Sequence, residues 1–163
     1  MIKKPRVFGC KIDSVNSINL TLDRIEEYKQ SHNIFIQVFD ADMILGSKHL
    51  LWAYDKSLRC FEKGTNSADF LEIETILWSS GERQIKDALI KMGIKNDTDK
   101  VAVLLDYEMD IKDFLEHMCW ERNDDVLKPS KEKLIKNGIS DKEMDSVENP
   151  MDLIFEKMSV SSI

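Results

Sequence analysis

Residues Ile34–Gly64 read IFIQVFDADMILGSKHLLWAYDKSLRCFEKG. The first six, Ile34–Phe39 (IFIQVF), are apolar but for one glutamine, which predicts a strand buried on both faces. Asp40–Leu45 is a connection. Ser47 is a good N-cap and Gly64 suits a left-handed exit, so the helix Ser47–Lys63 is marked at both ends. Leu51, Tyr54, Leu58 and Phe61 recur at i, i+3, i+7 and i+10, which predicts the core stripe of that helix. A buried strand feeding an amphipathic helix predicts a packed chain that uses both kinds of element.

Upstream, Arg6–Ile12 (RVFGCKI) is rich in strand formers and precedes a polar connection, Asp13–Asn19. Thr21 can cap a helix Leu22–Gln30 with Leu22, Ile25 and Tyr28 at helical spacing. Downstream the spacing predicts helices Ala68–Trp78 and Glu82–Met92, the latter with Ile85, Leu89 and Met92 inward. Ser79 or Ser80 is a candidate cap for it. Lys100–Asp106 (KVAVLLD) is a third apolar strand. Asp110–Glu121 is amphipathic, with Ile111, Phe114, Leu115 and Met118 inward. Three short polar helices follow at Ser130–Lys136, Asp141–Val147 and Pro150–Val160. The order predicts an α+β chain: a small mixed sheet with about seven helices packed around it in a single compact domain. Residues 1–105 form its α/β core and residues 106–163 a helical acidic part of the same domain.

The chain has 163 residues, 42% hydrophobic and 33% charged, which excludes a disordered chain and suffices for a sizeable core. No apolar run approaches the ~18–20 residues of a membrane span. Met1–Arg6 is basic, but Val7–Ile12 is too short and polar for a signal sequence. Cys10, Cys60 and Cys119 are odd in number and far apart, which fits reduced thiols better than a disulfide framework. These features predict a soluble cytoplasmic protein with no membrane partner.

The net charge of −7 is unevenly placed. Residues 1–105 carry 15 Lys/Arg and 15 Asp/Glu, whereas residues 106–163 carry 8 and 15. A chain that coats nucleic acid over its whole surface is disfavoured, and a local basic patch in the first two thirds is not.

Asp40-Ala-Asp42 follows a buried strand, where paired carboxylates can hold Mg²⁺ or act as a nucleophile. The spacing is similar to that of haloacid-dehalogenase phosphatases, with Asp124-Asp125 as a candidate later acidic pair, but Ile44 stands where that motif takes Thr or Val. Ordinary loop polarity accounts for the pair equally well. His32, His49 and His117 match no zinc spacing, with or without the cysteines. There is no GxSxG, P-loop or GxGxxG. The residues point to a chain without catalytic, metal or cofactor site and without a small-molecule substrate.

The helix from Ser47 carries a second stripe. Lys48, Trp52, Lys56, Arg59 and Lys63 recur on one side, with Arg83 and Lys86 near the start of a later helix. Cations for phosphates beside an aromatic for bases is what single-stranded RNA recognition requires, and a solvated helix face is the plain alternative. At the far end, Met151, Ile154, Phe155 and Met158 make an apolar face that suits a partner groove or the chain's own core.

Five blocks carry a resemblance: Ile44-Leu-Gly-Ser-Lys-His-Leu50, Arg59-Cys-Phe-Glu-Lys-Gly-Thr-Asn66, Leu71-Glu-Ile-Glu74, Ser79-Ser-Gly-Glu-Arg-Gln-Ile85 and Gly93-Ile94. In this order, over about Gln37 to Val103, the chain resembles the KEOPS kinase-binding family, that of the PRPK-binding protein (TPRKB), in its archaeal-type form. The resemblance implies a non-catalytic subunit of the complex that installs threonylcarbamoyladenosine in tRNA. It would bind and support the small atypical kinase/ATPase subunit and help recruit tRNA through its single-stranded CCA end. Lys48, His49, Arg59, Lys63, Arg83 and Gln84 are the polar residues of the matching blocks expected to serve tRNA. Glu72 and Glu74 are candidate anchors for Arg59 or Arg83, and a plain helix-surface role accounts for them equally well. The C-terminal face of Met151, Ile154, Phe155 and Met158 is the candidate kinase interface.

Overall fold

The structure, a computed structural model, describes residues 4–13, 18–106, 108 and 110–161. Residues 1–3 of the basic start and 14–17 of the predicted polar connection lie outside the described residues. Among the described residues, eight α-helices and a four-stranded sheet make an α+β fold. Among the described residues no helix is long and apolar enough to cross a membrane. The chain divides into two compact units, Met1–Asp42 with Ile94–Leu127, and Met43–Gly93 with Lys128–Ile163. The charge step near residue 105 falls inside the first.

The first unit holds the sheet. Its strands are β1 (Arg6–Lys11), β2 (Ile36–Asp40), β3 (Lys100–Leu105) and β4 (Glu121–Arg122), in the order β2-β3-β1-β4. Every pair is antiparallel, which corrects the expected mixed sheet. Alternation sends Phe8, Cys10, Ile36, Val38, Val101, Val103 and Leu105 to one face. There they meet Ile25 and Tyr28 of α1 (Ile18–His32) and Phe114 and Met118 of α5 (Lys112–Met118). Phe114 sits edge-on to both Phe8, at 6.1 Å between centroids, and Tyr28, at 5.2 Å. Gly9 points the other way. A Cβ there would lie 2.4 Å from Val126 Cγ2 and 2.7 Å from the Asn123 carbonyl, so only glycine lets the 3₁₀ turn Asp124–Leu127 lie against β1.

Helix α5 ends earlier than its periodicity predicts. Cys119 adopts φ 58° and turns the chain so that Glu121 and Arg122 pair with Lys11 and Cys10. A two-residue Glu-Arg strand has no apolar alternation to announce it.

The second unit is helical: α2 (Ser47–Lys63), α3 (Leu71–Ser80), α4 (Ile85–Met92), α6 (Lys131–Lys136), α7 (Asp141–Asp145) and α8 (Met151–Ser161). Helix α2 has the predicted bounds, but its N-cap is Gly46 at φ 91°, not Ser47, and no side chain caps it. Gly64 closes it at φ 70°, its N–H reaching the Cys60 and Phe61 carbonyls. Gln84 sits at the N-cap of α4 and Gly81 closes α3 at φ 70°, so neither Ser79 nor Ser80 is that cap. Ser130 Oγ caps α6, and Ser140 with Glu143 forms a capping box on α7.

Leu45, Leu134, Ile139, Ile154 and Met158 build the core under α6–α8, with Trp52, Met144, Met151, Leu153 and Phe155 packed against it. This corrects the expectation for the C-terminal helix. Ile154 and Met158 are 2% and 3% exposed, and Met151 and Phe155 lean on the same cluster. Two of the four residues of the face read as a kinase interface, Ile154 and Met158, are the unit's own core, and Met151 and Phe155 are half-buried beside them.

Candidate nucleic-acid and partner interfaces

Helix α2 is turned by about a quarter from the orientation its large apolar residues predict. Its buried residues are His49, Leu50, Ala53, Tyr54 and Ser57, whereas Leu51, Leu58 and Phe61 are half-buried. His49, Ala53 and Ser57 stand at i, i+4 and i+8, and His49 bonds to α3 from that stripe. Two of the three are small, so backbones can approach closely there. Small and polar residues do not register in a count of large apolar side chains, which is why the spacing misplaces the face.

The largest consequence is for His49, which the sequence analysis assigned to tRNA. It is fully buried. The Leu45 N–H donates to Nδ1 at 3.1 Å, so the proton sits on Nε2, which donates to the Ser79 carbonyl at 2.8 Å. Burial pulls its pKa down to about 4, the Ser79 carbonyl opposing and Lys91 and Lys133 adding to the fall. His49 is a neutral cross-brace inside the unit, with no surface to offer a ligand.

The opposite side of α2 keeps the cations. Lys48, Arg59 and Lys63 are exposed. Arg59 Nε lies 3.2 Å from Asp55 Oδ2 on the same face, which lowers the field there. Lys56 Nζ stands 5.3 Å from the Trp52 ring centre, a cation–π distance. Trp52 is half-buried, edge-on to Trp78 at 5.6 Å and tilted on Phe155 at 5.7 Å. Trp52 therefore holds Lys56 in place from a ring anchored in the unit, and is not a platform standing out in solvent.

Arg83, Gln84 and Lys86 are exposed at the start of α4. Arg83 and Gln84 line a groove of about 770 Å³ whose other polar residues include Glu82, Asp87, Glu143 and Glu156. Lys157 lines the same groove. Glu74 anchors neither Arg59 nor Arg83: it is buried, and Oε2 accepts from the Ser67 and Ala68 N–H groups at 3.0 and 2.8 Å.

Sequence reasoning missed an apolar surface on α4. It placed Ile85, Leu89 and Met92 inward, but the buried pair is Ala88 and Met92. Ile85, Leu89 and Ile90 are 39%, 41% and 60% exposed. The i, i+4 spacing of Ala88 and Met92 was the available signal, and alanine hid it.

Two carboxylates of the phosphatase alternative, Asp40 and Asp124, have structural work. Asp40 Oδ1 accepts the Asp42 N–H at 3.0 Å, and Oδ2 lies 3.8 Å from Lys95 Nζ. Asp124 stands at the β1–β4 side of the sheet, accepting the Gly9 N–H at 3.0 Å and pairing with Arg122 at 3.1 Å. Burial raises its pKa, but those two donors outweigh burial and hold the carboxyl below its ordinary range. Among the described residues no three or more His, Cys, Asp or Glu side chains converge as a metal site. Cys10, Cys60 and Cys119 are free thiols, and burial, with Asp124 beside it, pushes the Cys10 thiol up to about 12.

The family model described as Kinase binding protein CGI-121 matches residues 13–160. The chain belongs to this kinase-binding family. No curated protein sequence matches it.

Proposed function

We propose that this chain is a non-catalytic subunit of the KEOPS tRNA threonylcarbamoyladenosine complex. It binds the small atypical kinase/ATPase subunit, supports its activity, and helps recruit tRNA by holding the single-stranded CCA end. The kinase contact rests on family membership across residues 13–160. The tRNA role is supported by the exposed side of α2, where Lys48 and Lys63 flank a Lys56 ammonium held over Trp52. Such a strip meets a backbone of phosphates with several cations in register along roughly 20 Å of helix. Arg59 belongs to the strip but shares its charge with Asp55.

The test is a binding titration with intact tRNA and with the same tRNA lacking its terminal CCA. Tighter binding of the intact form supports an adaptor that grips the single-stranded end. Equal affinity for the two removes the CCA role and leaves the kinase contact as the function.

A further inference from the structure

The turn that closes α6 is built on Asn137-Gly138, the one Asn-Gly pair in the chain. The fold specifies both residues. Gly138 takes φ 86°, and a Cβ there would lie 2.5 Å from the Nζ of Lys157, which donates to the Asn137 carbonyl, so the position calls for glycine. Asn137 is 3% exposed. Its Nδ2 donates to the Met43 carbonyl at 3.1 Å and to the Lys133 carbonyl at 2.9 Å, and so braces α6 against the segment that leads into α2. An acid at this position would set carboxylate oxygens against those two carbonyl acceptors.

Asparagine followed by glycine is also the pair most prone to convert itself, because glycine has no side chain to shield a nitrogen that can reach the asparagine amide carbon. Here the two atoms are held out of reaction. The Gly138 N–H donates to the Ile135 carbonyl at 2.9 Å and the Ile139 N–H to the Leu134 carbonyl at 3.0 Å. That is a Schellman pair, and its flanking Leu134 and Ile139 share one core cluster. Asn137 has ψ 7°, which nearly eclipses the Gly138 nitrogen with the backbone nitrogen of Asn137 and turns it away from Cβ, where ring closure needs it. The side-chain amide, tied to two carbonyls, is not free to swing towards it.

We propose that Asn137-Gly138 is a self-modification site that the fold keeps shut. When the turn opens, the Gly138 nitrogen attacks Asn137 Cγ. The N–Cγ bond forms, the Cγ–Nδ2 bond breaks, and Nδ2 leaves as ammonia with the proton of the Gly138 N–H. Water then opens the succinimide to aspartate or to isoaspartate. Both products replace the Nδ2 donor by a carboxylate, and isoaspartate also lengthens the backbone inside the Schellman turn, so neither rebuilds the brace. The Met43 carbonyl that loses its donor lies two residues before Leu45, whose N–H rests on His49, so conversion loosens the entry to α2. An opening of this turn is thereby recorded in covalent form.

The experiment incubates the full chain in neutral buffer and in enough guanidinium to unfold it. Conversion at each asparagine is followed by peptide mass mapping, with enzymatic methylation of isoaspartate as a second readout. In guanidinium Asn137 is expected to convert faster than the other asparagines. In buffer its rate is expected to be at least about tenfold lower, the factor given by ~1.4 kcal/mol of opening energy. Ile139→Ala, which removes a buried side chain from the turn, is expected to raise the rate in buffer severalfold towards that of the unfolded chain. Asn137→Asp is expected to lower the melting temperature and to speed hydrogen exchange at the Gly138 and Ile139 amides. Equal rates in buffer and guanidinium overturn the guarded site, whether or not Ile139→Ala folds. So does an unfolded chain in which Asn137 converts no faster than the other asparagines, or a folded Ile139→Ala chain with no rise in rate. Unchanged melting and exchange in Asn137→Asp overturn the loss of the brace.

Discussion

The Nε2–H of His49 donates to the carbonyl of Ser79 at 2.8 Å, and its Nδ1 accepts the N–H of Leu45. One neutral ring thereby fastens the segment before α2 to the end of α3.

Burial, with Lys91 and Lys133 adding to it, brings the pKa of this ring down to about 4 in the folded chain against 6.5 for an ordinary histidine. Above about pH 6.5 both states are neutral and the brace is at full strength. Below that, the unfolded chain takes up a proton that the folded chain refuses. Stability should fall with decreasing pH between 6.5 and about 4, by roughly 1 kcal/mol per pH unit. His49→Leu should cost about 2–4 kcal/mol by stranding both backbone partners and should flatten that slope. Denaturant unfolding across the window checks both, and an unchanged slope in the variant contradicts the assignment.

Gly9→Ala should destabilise the sheet unit. The new methyl meets Val126 Cγ2 at 2.4 Å and the backbone carbonyl of Asn123 at 2.7 Å, and a carbonyl cannot rotate out of the way. Overpacking of this kind costs about 1–3 kcal/mol. A melting temperature equal to that of the unaltered chain would show that the 3₁₀ turn Asp124–Leu127 yields freely.

Met158→Ala distinguishes core from interface. At 3% exposure its loss opens a cavity, and stability should drop by about 2–5 kcal/mol. Kinase affinity, measured where the variant is still folded, should be unchanged. Lost kinase affinity in a folded Met158→Ala chain would restore the C-terminal helix as the contact.

The strip on α2 is tested by Lys48→Glu, Arg59→Glu and Lys63→Glu together. The tRNA affinity should fall, and the dependence of log K on log salt should lose about 0.7 per phosphate contact removed. Lys48→Glu and Lys63→Glu singly should each cost more than Arg59→Glu, since Arg59 is already paired with Asp55. Equal losses at all three positions, or none, would contradict the geometry described.

Much of this molecule is legible in its residues, and the illegible parts have physical causes. Strands β2 and β3 announce themselves as apolar runs long enough to be buried, β1 as a stretch rich in strand formers, and α2 by the Gly64 that ends it. Strand direction is set by pairing across long sequence separations, such as Phe8 with Val103, and no local pattern encodes it. The face of α2 was misread because Ala53, Ser57 and His49 bury without being large and apolar. The same blindness to small residues hid the outward turn of α4, where Ala88 is the buried residue. The cations Lys48 and Lys63 were found by spacing alone, since long charged side chains on a helix stay at its surface. His49 sits one position further on and is fully buried. On a helix one residue is about 100° of rotation, enough to separate an interface from a core.

The central claim is that this chain binds and supports a kinase. The most direct measurement is the ATP hydrolysis rate of the small kinase/ATPase subunit, followed as the purified chain is titrated in. The account predicts a saturable change in rate with a midpoint at or below about 1 µM, the range of a specific protein–protein contact, and no hydrolysis by the chain alone. A kinase rate that stays flat into the range of ~100 µM, or hydrolysis by the chain alone that Asp40→Asn abolishes, would contradict it.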